Sequence, residues 1–207
     1  MSSKVGKILE FIPKQPAKYG YEKVRKRKKS PGSTREQLNL FSGAAQVLRL
    51  PSNLTPFEEA LLLDERNDSS RAEETYRRAI SEDDSVADSY CNLGILVSKA
   101  GKTAKAFDCF TKSLEHNPRH FESHFNLGNL YFDESNLRLA RMHYECAAEV
   151  ESECASVWFN LGLVAAMNNN LEAAVASLLK YKNLATTEEG HKADDLLEKL
   201  QRSLSSK

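Results

Sequence analysis

The stretch VADSYCNLGILVSKAGKTAKAFDCFTKSL, residues 86–114, decides the fold. It predicts two helices separated by Gly101 and Lys102. The second helix is expected to end at Asn117 and Pro118, because glycine favours helix ends and proline cannot continue a helix. An Asn-Leu-Gly triplet in the first helix returns at one constant interval, starting at Asn92, Asn126 and Asn160. A period of this length indicates a stack of repeated helix pairs.

Two further sets of residues repeat at the same interval. The small set is Ala72, Ala106, Ala140 and Ala174, and the bulky set is Tyr76, Phe110, Tyr144 and Leu178. Small residues leave room where paired helices approach each other, and the bulky residues fill the space beside them. In the earliest copy Ala60 takes the glycine position and Glu59 the leucine position. The first copy is therefore expected to be a divergent end unit.

These residues at this period resemble the tetratricopeptide repeat family over roughly residues 53–186. The resemblance implies an all-α fold, a right-handed α-solenoid of antiparallel helix pairs. Its four units would cover residues 53–86, 87–120, 121–154 and 155–187. Residues 188–207 would form a capping helix and tail, because their leucines fall on one helical face and can cover the open end of the stack.

The resemblance also implies that the first helices of the units line a concave groove, which holds a peptide or a partner protein. The residues expected to face this groove are Asp88, Cys91, Asn92, Ile95, Glu122, Phe125, Asn126, Asn129, Phe132, Asp133, Phe159, Asn160 and Leu163. Acidic and aromatic side chains at these positions favour a basic or amphipathic ligand over a terminal carboxylate.

The asparagines Asn92, Asn126 and Asn160 stand in register along this groove. A carboxamide offers a donor and an acceptor together, so three of them could hold an extended backbone without reading its side chains. The alternative is that each asparagine caps or solvates its own helix. The sequence leaves both interpretations open.

Charge is distributed unevenly along a chain whose 29 basic and 29 acidic residues cancel. Residues 1–29 contain ten Lys/Arg and two Glu, a net charge of +8, so the rest of the chain carries −8. Residues 1–33 are therefore expected to be a basic, largely disordered arm with a short amphipathic segment. Nucleic acid, a ribosome, an anionic membrane and the protein's own acidic groove are all consistent partners, and so is simple solvation. The polyanion-binding residues of this arm would be Lys23, Arg25, Lys26, Arg27, Lys28 and Lys29.

Residues 34–52 are expected to be a linker or an N-terminal packing helix. Within them Gln37, Leu38, Leu40 and Phe41 spell Q-L-x-L-F. This motif resembles the peptide by which bacterial replication and repair proteins dock on the sliding clamp. The alternative is a helix whose apolar stripe packs on the first repeat. Both uses require Phe41, so they exclude each other.

The sequence gives little support for catalysis, a cofactor or a metal. It has no glycine-rich phosphate loop and no Cys/His dyad in a catalytic context. The pair His120 and His124 has a metal-compatible spacing, but His124 falls where the family packs an aromatic residue. No apolar run reaches the about 20 residues of a membrane span. The four cysteines lack the spacing of a disulfide framework, which suits the cytoplasm.

We therefore predict a cytoplasmic, non-enzymatic scaffold or adaptor that binds a peptide or a partner protein in its groove. The alternative is a nucleic-acid-associated adaptor that uses the basic arm and the clamp-like peptide. The sequence predicts neither the identity of the ligand nor the oligomeric state.

Overall fold

The structure is a computed structural model that describes residues 18–25 and 54–205. Residues 54–205 form ten α-helices and one 3-10 turn, His191–Ala193, which precedes the last helix. The helices are α1 (Pro56–Glu65), α2 (Ser69–Ser81), α3 (Val86–Lys99), α4 (Thr103–His116), α5 (Phe121–Asp133), α6 (Leu137–Val150), α7 (Ala155–Met167), α8 (Leu171–Leu184), α9 (Thr187–Gly190) and α10 (Asp194–Ser205). They pair as α1/α2, α3/α4, α5/α6 and α7/α8, and each pair packs on the next. This is the predicted all-α solenoid, and we call residues 54–205 the array.

The turn inside each pair repeats as faithfully as the helices do. Its central residue has a left-handed backbone in all four pairs, with φ near +60° in three of them and +74° in the other. These residues are Asn67, Gly101, Ser135 and Asn169, which follow one another at the interval of the Asn-Leu-Gly triplet. Glycine and asparagine reach this conformation at low cost, which makes the turn a natural helix terminator. Gly101 therefore occupies the turn position that the sequence predicted.

Each pair is held together by the approach of a small residue to a bulky one. A Cβ atom built on Gly94 would lie 2.7 Å from the ring of Phe110. At the equivalent position, a Cβ on Gly128 would lie 2.5 Å from the ring of Tyr144. In the first pair Ala60 replaces glycine, and it is fully buried. The absence of a side chain at the glycines is therefore what lets the paired helices pack this closely.

The last helix, α10, packs at the C-terminal end of the array and is shorter than the apolar stripe of residues 188–204 indicated. Residues 187–193 form the short helix α9 and the 3-10 turn, and α10 begins only at Asp194. Leu197 and Leu200 are buried, and α10 packs on α8. Within residues 18–25 and 54–205, no helix is long and apolar enough to cross a membrane.

Two histidines face each other between α5 and α6, with their Nδ1 atoms 3.1 Å apart. The Nε2 atom of His124 lies 3.1 Å from the carbonyl oxygen of Pro118, so this nitrogen donates and the Nδ1 atom of His124 is free to accept. The Nδ1–H group of His143 then donates to it, and the rings of His143 and Tyr131 stack at 5.4 Å. Burial lowers the pKa of both histidines, and it lowers the pKa of His143 to about 4.

This pair predicts a stability that depends on pH. Histidine in the unfolded chain titrates near pH 6.5, so between pH 6.5 and about 4 the unfolded state binds more protons than the folded state. The free energy of unfolding should therefore fall as the pH is lowered through this window. The full shift of His143 would cost about 2 kcal/mol between pH 7 and pH 5, and partial exposure of the ring reduces this to about 1 kcal/mol. In urea unfolding at these two pH values, we expect His143→Gln to lose about 1 kcal/mol less stability than the wild type. The same slope in both proteins would contradict this.

Candidate functional site

The inner face of the array holds residues 18–25 of the same chain as an extended segment, which we call the resident segment. Three asparagines, which we call the ladder, each bond both main-chain groups of one of its residues. The pairs are Asn160 with Tyr19, Asn126 with Glu22, and Asn92 with Val24. In that order the N–H to Oδ1 distances are 2.9, 2.9 and 3.0 Å, and the Nδ2 to carbonyl distances are 3.4, 2.8 and 3.0 Å.

The ladder runs from α7 through α5 to α3, so the resident segment crosses the repeats in the reverse of their chain order. A fourth carboxamide, Asn129, donates to the carbonyl of Gly20 at 3.1 Å. Its own oxygen accepts from the Tyr144 hydroxyl at 2.7 Å and from Asn160 at 3.1 Å. These bonds fix the orientation of the carboxamides, and all four are fully buried. The groove thus presents preset polar groups to an extended backbone.

Two tyrosines of the resident segment enter separate sockets. The ring of Tyr19 meets the ring of Phe159 edge-on at 5.4 Å, and its hydroxyl lies 2.8 Å from the hydroxyl of Tyr181. The ring of Tyr21 stacks on Phe110 at 6.3 Å, and its hydroxyl lies 2.6 Å from the hydroxyl of Ser98. Each socket therefore combines an aromatic wall with a polar floor, the combination that suits tyrosine.

The residue between the two tyrosines, Gly20, is exposed. A Cβ atom built on it would meet nothing within 4 Å. The groove therefore holds this position by its carbonyl, through Asn129, and leaves open space where a side chain would stand.

The two lysines of the resident segment bond carboxylates near its two ends. The Nζ atom of Lys18 lies 3.0 Å from Asp133 and 5.8 Å from the centre of the Phe132 ring. Lys23 pairs with Asp64, whose side chain is only 7% exposed. A carboxylate this buried needs a partner, so the second pair contributes more than an exposed pair would.

The one acid of the resident segment has no such match. Burial raises the pKa of Glu22, and the neighbouring carboxylates of Glu122 and Glu151 raise it further. Arg25 of the same segment and the Ser156 hydroxyl lower this pKa, but the net direction is upward. The groove thus disfavours the charged form of this carboxylate.

The remaining predicted groove residues lie on the first helices of their units. Cys91, Ile95, Phe125 and Leu163 are buried. The Sγ atom of Cys91 accepts from Asn126 at 3.5 Å, and burial raises the pKa of this thiol. The ring of Phe125 packs between those of Phe121 and Tyr144. Asp88 bonds His120 at 2.9 Å.

Three contacts of the resident segment are with residues that the sequence analysis did not name. They are Asp64, Ser98 and Tyr181. Asp64 and Ser98 occupy the same repeat position as Phe132 in their respective units. Carrying the repeat register back into the divergent first unit would therefore have found Asp64. Tyr181 lies on the second helix of its unit, and no signal in the first-helix pattern points to it.

The predicted polyanion-binding arm is described only in part. Lys23 is bound to Asp64, while Arg25 is exposed. Lys26, Arg27, Lys28 and Lys29 lie outside the described residues, and so does the clamp-like peptide Gln37, Leu38, Leu40 and Phe41. Among residues 18–25 and 54–205, no three potential metal ligands are grouped. Binding of nucleic acid or a clamp therefore stays a prediction.

Comparison with known proteins agrees with this geometry. The profile of the tetratricopeptide repeat family matches residues 125–187, which hold α6, α7 and α8 and most of α5. Residues 125–187 thus belong to the tetratricopeptide repeat family. No curated protein matches it in sequence.

Solved tetratricopeptide repeat structures share the fold at low sequence identity. MamA 41-end from Desulfovibrio magneticus RS-1 is 18% identical, with a TM-score of 0.56 over 70% of this chain and 92% of the other. The first repeat domain of Spaghetti (RPAP3), bound to the HSP90 peptide SRMEEVD, is 21% identical, with a TM-score of 0.53 over 57% of this chain and 93% of the other. At these identities the likeness concerns the fold alone.

Proposed function

We propose that this tetratricopeptide repeat protein is a non-enzymatic interaction scaffold whose groove captures an extended segment of a partner protein by its main chain. The observation that carries the proposal is the ladder, which bonds both main-chain groups of Tyr19, Glu22 and Val24. Main-chain recognition gives affinity, and the sockets on either side give selectivity. We keep the cytoplasm as the proposed compartment, because the cysteines lack the spacing of a disulfide framework.

The resident segment would then act as a ligand supplied by the chain itself. A tethered ligand competes at an effective concentration of about the millimolar range, so an external segment must displace it. Release would expose the ladder, both sockets and the two carboxylates that bond Lys18 and Lys23. Occupation of the groove would thus be a competition between one segment in cis and one in trans.

The charge of this groove argues for a different ligand from the peptide bound to RPAP3. That peptide, SRMEEVD, has three acidic residues and one basic residue. The groove of this chain instead bonds two lysines, through Asp133 and Asp64. A net-cationic ligand is therefore favoured over an acidic one.

The test compares the full-length protein with the full-length variant Tyr19→Ala/Tyr21→Ala, in which the resident segment loses both sockets. A labelled peptide of residues 16–27 is titrated against each, with fluorescence anisotropy as the measurement. We expect the peptide to bind the variant at least about tenfold more tightly than the wild type, because the tethered competitor is weakened.

The control adds Asn126→Ala to this variant, which removes the central rung of the groove and should reduce binding of the peptide. Circular dichroism checks that all three proteins keep the same helix content. Equal affinity of the wild type and the tyrosine variant would show that the resident segment does not compete. No binding to either would refute the proposed function.

A further inference from the structure

A second row of side chains runs along the groove beside the ladder. It consists of Asp88, Glu122 and Ser156, each four residues before a ladder asparagine. Residues four apart share a helix face, so this row flanks the main chain that the ladder holds. Its first two members are carboxylates and its third is a hydroxyl. The row therefore gives the middle of the groove a negative charge.

His120, the histidine nearest to this row, does not neutralise it. Its Nδ1 atom accepts the backbone N–H of Ser123 at 3.1 Å, so that nitrogen carries no proton. Its Nε2–H group then donates to Asp88 at 2.9 Å. The ring is thus a neutral imidazole, and the 3.5 Å approach of Nδ1 to Glu122 is not an ion pair. The ring therefore adds no positive charge beside Asp88 and Glu122.

The resident segment adds a third carboxylate at this place. The main chain of Glu22 is fixed by Asn126, and Glu122 lies one helical turn before Asn126 on the same face. The carboxylate of Glu22 therefore meets the like charge of Glu122, and the groove offers it the Ser156 hydroxyl, whereas Lys18 and Lys23 find carboxylates. The resident segment fits the groove at its two ends and is mismatched in the middle.

We propose that the external ligand is an extended basic segment that carries two aromatic residues separated by one residue, followed directly by lysine or arginine where this chain has Glu22. The two tyrosine sockets specify the aromatic residues, and the open space at Gly20 leaves the residue between them unrestricted. The acidic row specifies the cation. This proposal rests on the proposed function, since it names the partner of the same groove.

Because of this mismatch, an external ligand with a cation at this position should outcompete the resident segment. A ligand that repeats the main-chain and aromatic contacts but replaces the acid by a cation binds more tightly than the resident segment. It can therefore displace that segment despite the tether. The acid at position 22 keeps the resident segment a weak occupant, which covers the groove without closing it to its ligand.

The experiment uses three peptides and the full-length Tyr19→Ala/Tyr21→Ala variant. The first peptide is residues 16–27, the second is the same peptide with Glu22→Lys, and the third has the composition of the second in scrambled order. At constant ionic strength, we expect the second to bind about fivefold more tightly than the first, or better. The scrambled peptide should bind more weakly than both, because it misplaces the aromatic pair.

A change in the groove then assigns the gain to the acidic row. Adding Glu122→Gln to the protein should remove most of the difference between the first two peptides, since the carboxylate that favours the cation is gone. In the intact chain, Glu22→Lys should tighten the resident segment and lower the affinity for the second peptide below that of the wild type.

The outcomes separate this inference from the proposed function. If the first peptide binds and the second binds no better, the cation preference is wrong while groove capture stands. If the second binds better but Glu122→Gln leaves the difference unchanged, the acidic row is not its source. If the scrambled peptide binds as well as the second, the attraction is general charge and not groove recognition. If none of them binds, the proposed function fails as well.

Discussion

Replacing Asn92, Asn126 and Asn160 together by alanine is expected to release residues 18–25 from the groove while the helix pairs stay folded. The change removes six hydrogen bonds to the resident segment. At about 0.5–1.5 kcal/mol net for each bond, they contribute at least about 3 kcal/mol, or a hundredfold in occupancy. If the segment stayed in place, its N–H and C=O groups would be buried without hydrogen-bond partners. In the released segment water bonds these groups, so release is favoured.

The array should survive because the ladder asparagines contribute little to bonding between the helices. Asn160 donates to Asn129, but the oxygen of Asn129 still accepts from the Tyr144 hydroxyl when Asn160 is replaced. The sulfur of Cys91 loses only a weak bond from Asn126. The packing of glycine against ring or leucine inside the last three pairs is untouched.

Hydrogen exchange followed by NMR is the measurement. In the wild type the amides of Tyr19, Glu22 and Val24 donate to the ladder and should be protected. In the triple variant these amides should exchange at the rate of an unfolded peptide, while amides of α5 and α7 stay protected. Asn168→Ala, at an exposed position after α7, is the matched control and should leave all of them unchanged. Persistent protection in the triple variant would contradict main-chain capture by the ladder.

The fold was predictable because it depends on contacts inside one repeating unit. Gly94 and Phe110, like Gly128 and Tyr144, lie on the two helices of a single pair, and the repeat shows this signal several times over. The C-terminal cap was less predictable in its bounds. Residues 187–193 leave the helical path before α10 begins, and the apolar stripe does not record where a helix starts.

The occupant of the groove was harder to predict than the groove. The register of Asn92, Asn126 and Asn160 indicates that a backbone can be held, but it does not say whose backbone it is. The contacts that decide this join residues 41 to 162 positions apart, such as Lys23 with Asp64 and Tyr19 with Tyr181. No repeat or periodicity connects the two ends of such a pair. The sequence left the chain's own acidic groove as one of several partners for the arm, alongside nucleic acid and membranes.

Gly128→Ala is expected to be the most destabilising of the three equivalent glycine substitutions. The new Cβ atom would lie 2.5 Å from Cε1 and 2.6 Å from Cδ1 of Tyr144. That ring is fully buried, and its hydroxyl is bonded to Asn129, so it cannot turn aside without losing the bond. We expect a net loss of about 2 kcal/mol in the free energy of unfolding, after the better helix propensity of alanine has offset about 1 kcal/mol.

The other two glycine substitutions should reduce the free energy of unfolding by less. Gly162→Ala meets Cγ of Leu178 at 2.7 Å, a side chain that carries no hydrogen bond and can change rotamer, so its loss should be smaller. Gly94→Ala meets the Phe110 ring at 2.7 Å and should fall between the two. Gly20→Ala, where a Cβ meets nothing within 4 Å, is the control for a methyl group added without a clash. Urea unfolding of the four variants measures the series.

Gly128→Ala should also weaken the groove, although residue 128 does not touch the resident segment in any contact described above. If the Tyr144 ring shifts, Asn129 loses the bond that fixes its carboxamide, and Asn129 is the donor to Gly20 and the acceptor from Asn160. The amide of Tyr19 should then exchange faster than in the wild type at a temperature where the array is still folded. Gly94→Ala displaces the Phe110 ring that stacks on Tyr21, but it has no connection through Asn129, so the amide of Tyr19 should lose less protection than in Gly128→Ala. Equal loss in both variants would mean that the effect follows from general loosening of the array and not from the bond between Tyr144 and Asn129.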